Sequence, residues 1–178
     1  MLLEKQMHIL LKKISVKKGH ILQRKGDLNS KAYQVESGLL RSYSIDNKGK
    51  EHIFMFAPED WIIADSQPPE VPCDLFIDVL EDAVITVFDK EPAAMVFNKE
   101  KEYRDSNMTK LIRRMAVLQK RVIMLMSASA IDRYEHFVET YPEILQRVPQ
   151  KMIASYLGIT PEALSKVKGD KFRKKDKP

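Results

Sequence analysis

The period of the apolar positions changes twice along the chain. Over residues 2–12, Leu3, Met7, Leu10 and Leu11 fall on one side of a helical wheel, which predicts a short amphipathic helix. From 14 to 88 the apolar stretches become short and turns carrying glycine separate them: Lys18-Gly19, Lys25-Gly26-Asp27, Ser37-Gly38 and Asn47-Lys48-Gly49. Successive glycines lie 7, 12 and 11 residues apart, a rhythm that suits short antiparallel strands. Tyr33 and Val35 alternate with Gln34 and Glu36, as on a strand with one face in a core. A second strand block covers 76–80 and 83–88, joined by Glu81-Asp82. Between the blocks, Gln67-Pro68-Pro69-Glu70-Val71-Pro72 lacks the N–H groups an interior strand needs and reads as a loop.

Helical period then takes over. Asp89 is placed to cap a short helix over 90–98, whose start Pro92 confines. A long helix follows over 100–127. Along it Met108, Leu111, Met115, Leu118, Val122 and Leu125 are spaced 3, 4, 3, 4 and 3, the seam of a coiled coil and the expected dimer interface. A second apolar set, Ile112, Ala116, Ile123 and Met126, is expected to face the β-domain of the same chain. Ser129 followed by Asp132 makes a capping-box start for a helix that runs to Tyr141, before Pro142. Another helix opens at Val148-Pro149, turns Met152, Ile153, Tyr156 and Leu157 inward, and stops at Gly158. Thr160 caps the last one, with Pro161 in its first turn and Leu164 and Val167 inward.

Composition narrows the class. The chain has 178 residues, 44% hydrophobic and 31% charged, with only six Gly, enough for a real core and against a low-complexity or disordered chain. A single cysteine, Cys73, excludes an intramolecular disulfide, an all-cysteine zinc site and an all-cysteine iron–sulfur cluster. No apolar run is long enough to span a membrane, and Ile9-Leu10-Leu11 before Lys12 and Lys13 is too short for a signal peptide, so the expected location is the cytoplasm. The net charge of +5 is uneven. Residues 166–178 hold seven bases against two acids, while the first 165 balance at zero. Such a tail is either a solvated end or a contact for a polyanion, and its neighbours must decide.

The neighbouring segment, 149–169, is helix, Leu157-Gly158-Ile159 turn, helix. Gly158 supplies a left-handed backbone position, and the small Ala154 permits close approach of the helices. That leaves Pro161, Glu162, Ser165, Lys166 and Lys168 on the outer side of the second helix, which fits the major groove of DNA. Glu162 is suited to accept from a cytosine amino group and Lys166 to donate to guanine, each contact worth about 1–3 kcal/mol of discrimination. Gln150 and Thr160 complete the expected interface, with Lys171, Arg173 and Lys174 for phosphates. The plainer reading is an ordinary αα-hairpin; the charge jump at Lys166 and the upstream seam weigh against it.

The whole order resembles the Crp/Fnr family of bacterial transcription regulators. The likeness is carried by Lys18-Gly19-His20-Ile21-Leu22 with Lys25-Gly26-Asp27, by Val35-Glu36-Ser37-Gly38-Leu39-Leu40-Arg41, and by Phe56-Ala57-Pro58-Glu59-Asp60-Trp61. In the C-terminal part it is carried by Pro149-Gln150, Tyr156-Leu157-Gly158-Ile159-Thr160-Pro161-Glu162 and Leu164-Ser165-Lys166. The resemblance implies an α+β chain in three parts. An N-terminal antiparallel β-roll of the double-stranded β-helix or jelly-roll type fills 1–98 and a long dimerisation helix fills 99–127. A helix-turn-helix domain with a basic tail, its wing reduced or missing, fills 128–178. It implies a homodimer on a palindromic operator, with RNA polymerase as a further partner and no catalysis. Glu162 and Lys166 match the family's base-reading positions, and Pro161 replaces a basic reader.

Two departures from the family pattern matter. The pocket stretch is here Asp65-Ser66-Gln67-Pro68-Pro69-Glu70-Val71-Pro72-Cys73, with no Arg or Lys to hold a cyclic phosphate. Trp61, Asp65, Ser66, Gln67 and Cys73 are therefore the candidate ligand pocket of an effector that is not cyclic AMP. The second departure is the short stretch after the recognition helix, where the basic tail is expected to take over the wing's phosphate contacts. No metal or other cofactor is expected: His20 and His52 lack the His-x-His pattern of a cupin centre. The rival readings are a small-molecule-binding roll without DNA-binding activity and a cupin-like enzyme.

Overall fold

A computed structural model describes residues 11–68, 70–89 and 101–175, without the side chains of 11, 101–108, 110, 111, 113, 114, 117 and 171–175. Contacts divide the chain into two compact units, Met1–Lys110 and Leu111–Pro178. The helix expected over 90–98 lies outside the described residues, as does most of the one expected over 2–12. The end of the latter is corrected: Leu11 and Lys12 open a strand, β1 (Leu11–Val16), which pairs Ile14 with Ile85. Leu10-Leu11 fits either period, and the strand forms because pairing along its whole length is available.

The first unit is an antiparallel roll. After β1 come β2 (Ile21–Gln23), β3 (Lys31–Ser37), β4 (Leu40–Ile45), β5 (Glu51–Ala57), β6 (Ile62–Ala64), β7 (Phe76–Val79) and β8 (Ala83–Asp89). They form two four-stranded sheets, in the orders β1-β8-β3-β6 and β2-β7-β4-β5. The alternation read from the sequence becomes the core: Tyr33, Val35, Leu40, Ala57, Ile63, Ile77, Val79, Ala83 and Ile85 pack together, with Trp61 against them. Gly38, between β3 and β4, has φ +93°, and a Cβ there would meet the Asp82 carbonyl oxygen at 2.5 Å. The Pro-rich 67–72 stretch is indeed irregular where described.

One buried feature of the roll has no counterpart in the sequence reading. Arg41 is 6% exposed. It donates from Nε and Nη2 to the two Asp78 carboxylate oxygens at 2.8 and 2.9 Å, and from Nη1 to Glu51 at 2.5 Å. Its guanidinium lies 4.1 Å over the Tyr43 ring, which stacks on Phe76. Burial alone would lower the pKa of this guanidinium, but the hydrogen bonds to Asp78 and Glu51 hold it above its ordinary value.

Helices make up the second unit. α1 (Lys101–Ser127) leads into it, followed by α2 (Ala130–Thr140), α3 (Ile144–Arg147), α4 (Gln150–Leu157) and α5 (Pro161–Lys175). Ser129 and Asp132 form the expected capping box on α2. Four-residue α3 follows Pro142 and has no cap signal in the sequence. Phe137, Tyr141 and Tyr156 form a ring cluster with centroids 5.2–5.6 Å apart, and Ile144, Ile153, Leu164 and Val167 are buried in the same unit.

Candidate nucleic-acid interface

The turn between α4 and α5 is built as the sequence requires. Gly158 adopts φ +67° and ψ +33°, its N–H donates to the Ser155 carbonyl at 3.1 Å, and the Ile159 N–H reaches back to the Ala154 carbonyl at 3.0 Å. This closes the end of α4 in a glycine cap. Thr160 then caps α5, its hydroxyl accepting from the Ala163 N–H at 3.2 Å. Leu164 and Val167 face inward, while Pro161, Glu162, Ser165 and Lys166 are exposed and Lys168 is half-buried. Gln150 and Thr160 are exposed as well. The expected reading residues thus share one accessible surface on α5.

Glu162 is held locally: its own backbone N–H, and after that the Thr160 hydroxyl, keep its carboxyl below the usual range. It therefore presents a charged acceptor at the N-terminal end of α5, where the helix dipole also favours an anion. The Ser165 hydroxyl donates back to the Pro161 carbonyl at 3.0 Å, which leaves its oxygen outward as an acceptor.

α5 extends well beyond the residues that read as its outer and inner faces. Gly169 does not stop it; the helix continues through Lys175, so the backbone of Lys171, Arg173 and Lys174 is helical. Their side chains lie outside the described part. A mid-helix glycine costs about 1 kcal/mol against alanine, and the strong helix formers around Gly169 absorb that.

Two arginines that the sequence reading did not single out hold the motif from behind. Arg121 of α1 lies 4.1 Å over the Tyr156 ring and donates to the Tyr156 carbonyl at 3.4 Å. Arg133 of α2 donates to the Leu157 carbonyl at 2.8 Å and to the Ala128 carbonyl at 3.2 Å. Both cations thus meet the carbonyl end of α4, the negative end of its dipole. Nothing in residue type or spacing marks them, because their acceptors are backbone oxygens.

The seam residues of α1 point outward in the single chain. Met115 is 62% exposed and Val122 54%, with Leu118 and Leu125 also exposed; the side chains of Met108 and Leu111 lie outside the described part. Ile112, Ala116, Ile123 and Met126 of the second apolar set are exposed on the helix as well.

The residues of the candidate ligand pocket are placed as follows in the roll. Asp65 is buried and its carboxylate is consumed by the loop itself, accepting from the backbone N–H groups of Gln67, Asp74 and Leu75 at 2.8–2.9 Å. Gln67 donates to Asp74 at 2.6 Å. Cys73 is buried, its N–H and carbonyl joined to Asp27 and Gly26. Trp61 packs on the roll core, and Ser66 is exposed. Asp65, Gln67 and Cys73 thus brace the loop through hydrogen bonds. Among the described residues, no three His, Cys, Asp or Glu side chains gather as metal ligands, and no helix is long and apolar enough to cross a membrane.

No protein-family model matches the chain. It is 25% identical to the regulatory protein HlyX of Actinobacillus pleuropneumoniae, over 94% of this chain and 74% of that protein. FixK2 from Bradyrhizobium japonicum shares the fold with a TM-score of 0.80 at 15% identity, over 93% of this chain and 86% of that one. A transcriptional regulator described as Crp/Fnr family, from Eubacterium rectale, shares it with a TM-score of 0.71 at 15% identity, over 94% and 81%. The chain is thus similar in sequence to a regulatory protein and shares, along nearly its whole length, the fold of solved Crp/Fnr-type regulators, a roll, a long helix and a helix-turn-helix.

Proposed function

We propose that the protein is a cytoplasmic homodimer that binds a palindromic operator, with one α5 in the major groove of each half-site. The observation that carries this reading is the capped, outward face of α5, where Glu162, Ser165 and Lys166 are exposed over a buried Leu164 and Val167. Two such helices must sit about 34–36 Å apart to read consecutive turns of DNA. The exposed apolar stripes of α1 supply the surface for pairing two copies. RNA polymerase is the further partner that a regulator of this type requires. Duplexes selected from a random pool and measured by fluorescence anisotropy test the reading. Specific binding that weakens steeply with salt is expected, with Lys166→Ala lowering affinity and Glu162→Gln relaxing choice at one base pair. A strictly monomeric protein with no salt-sensitive duplex binding sinks it. Removing 171–178 is expected to flatten the salt slope; an unchanged slope shows that those bases touch no phosphate.

Cyclic AMP is not the effector in this reading. Residues 65–73 offer no basic side chain, and the buried Asp65 carboxylate is committed to three N–H groups. A cyclic phosphate there would meet an acid and no guanidinium. Calorimetric titration is expected to show no binding; micromolar affinity reverses the conclusion.

A further inference from the structure

We infer that Arg121 is a positioning residue for operator binding: together with Leu125 it fixes the angle between α1 and the helix-turn-helix, and with it the half-site separation that a dimer reads. This rests on the operator-binding homodimer proposed above. The chain passes from α1 to α2 through Ala128 and Ser129, which belong to neither helix. Each adds a φ and a ψ, so the joint by itself would let the helices beyond it swing. Arg133 ties α2 to the end of α4 through the Leu157 carbonyl, so those elements, all beyond the joint, are held to one another.

Arg121 and Leu125 stand on the near side of that joint, about one helical turn apart on α1. The Arg121 guanidinium covers the Tyr156 ring at 4.1 Å and reaches the Tyr156 carbonyl at 3.4 Å. Leu125 lies against Gly158, so closely that a Cβ on the glycine would stand 3.3 Å from its methyl group. Two points of α1 therefore meet two points of one turn, Tyr156 near the end of α4 and Gly158 in the bend before α5. A single contact would leave a pivot; two contacts spaced along the axis fix a direction. The Arg121 contact is the more demanding of the two, because a guanidinium stacks only with its plane against the ring, whereas a leucine side chain yields. Tyr156 is in turn packed against Phe137 and Tyr141, with ring centroids 5.2 and 5.6 Å away, so the surface on which Arg121 rests is itself held. Two recognition helices must sit about 34–36 Å apart. The direction in which the motif leaves α1 enters that distance twice, once in each copy.

The test uses the full chain and duplexes carrying the selected half-sites at their selected spacing, or with one or two base pairs added between them. Each added base pair turns one half-site by about 35° around the duplex, so in the parent protein it should cost about tenfold or more in affinity. Arg121→Lys keeps the charge and loses the flat stack; Arg121→Gln loses both. In each, the cost of altered spacing should fall below about threefold, while the cost of a mismatch inside a half-site stays as in the parent. Affinities are compared at a temperature where circular dichroism shows every variant folded; should Arg121→Gln not fold, Arg121→Lys decides. Ile144→Val, a small loss of core elsewhere in the helical unit, controls for stability alone and should keep the full spacing cost. An unchanged spacing cost in either Arg121 variant, a mismatch cost that falls along with it, or an equal relaxation in Ile144→Val overturns the inference and leaves operator binding intact. A parent protein that binds no duplex, or is indifferent to spacing, removes the operator reading and this inference with it.

Discussion

The Arg121 guanidinium lies flat over the Tyr156 ring, 4.1 Å from its centre, and donates to the carbonyl of the same residue. Burial pushes the pKa of this cation down, and the Tyr156 and Tyr141 side chains oppose that. Arg133 takes the next carbonyl, that of Leu157, so consecutive oxygens at the end of α4 are each met by an arginine from a different helix. Charge-assisted bonds of this kind contribute about 1.5–3 kcal/mol. Arg133→Gln is expected to lower the stability of the helical unit by about 1–2 kcal/mol in urea denaturation. Arg121→Lys should not restore what Arg121→Gln loses, because an ammonium does not stack on the ring as a guanidinium does. Equal stability of Arg121→Lys and the parent protein contradicts this account.

Gly158→Ala should be destabilising through the backbone. The position has φ +67°, and the new Cβ would lie 3.3 Å from the Leu125 side chain, which has room to yield. The left-handed conformation alone costs about 1–2 kcal/mol for a residue with a Cβ. The measurement is the melting temperature together with duplex affinity. Both should fall, and Gly158→Asn should fall less, since asparagine tolerates this region better.

In the roll, Arg41→Met should cost about 3–5 kcal/mol, because it strands the buried Asp78 carboxylate. Arg41→Met with Asp78→Leu should recover much of that loss, since the pair is then replaced by apolar packing. Denaturation midpoints of the two single variants and the double variant decide it; additive losses would show that the two groups do not act as a pair.

Tyr33 supplies an alkaline prediction. Burial, followed by the charges of Cys73, Asp27 and Asp89, pushes its pKa to about 12. The native state then keeps a proton that the unfolded chain gives up near pH 10. Stability from this group is therefore complete below about pH 10 and is lost as pH rises toward 12, by roughly 2–3 kcal/mol. Tyr33→Phe should flatten the decline of stability between those values; an unchanged decline assigns it to other groups.

Local signals were legible and distant ones were not. Gly158, Thr160 and Pro161 announce the helix-turn-helix because each acts on its own backbone neighbours, and the glycines at 19, 26, 38 and 49 punctuate the roll in the same way. Arg41 and Asp78 lie 37 positions apart and meet only because β4 and β7 pair in register. The Asp65 loop is a related case. Its position in the sequence does not reveal that the carboxylate accepts from the N–H groups of Gln67, Asp74 and Leu75, which the folding of the loop decides.

The passage of α5 straight through Gly169 sorts the terminal bases by angle. On a rod turning about 100° per residue, position 173 falls on the same stripe as 162 and 166, whereas 171 and 174 follow the stripe of 164 and 167. By backbone phase, position 173 thus follows the exposed stripe of Glu162 and Lys166, and positions 171 and 174 follow the stripe of Leu164 and Val167. A continuous helix gives each of these positions a fixed angle to the outward face of α5, so that rotating one end of its backbone turns the other with it.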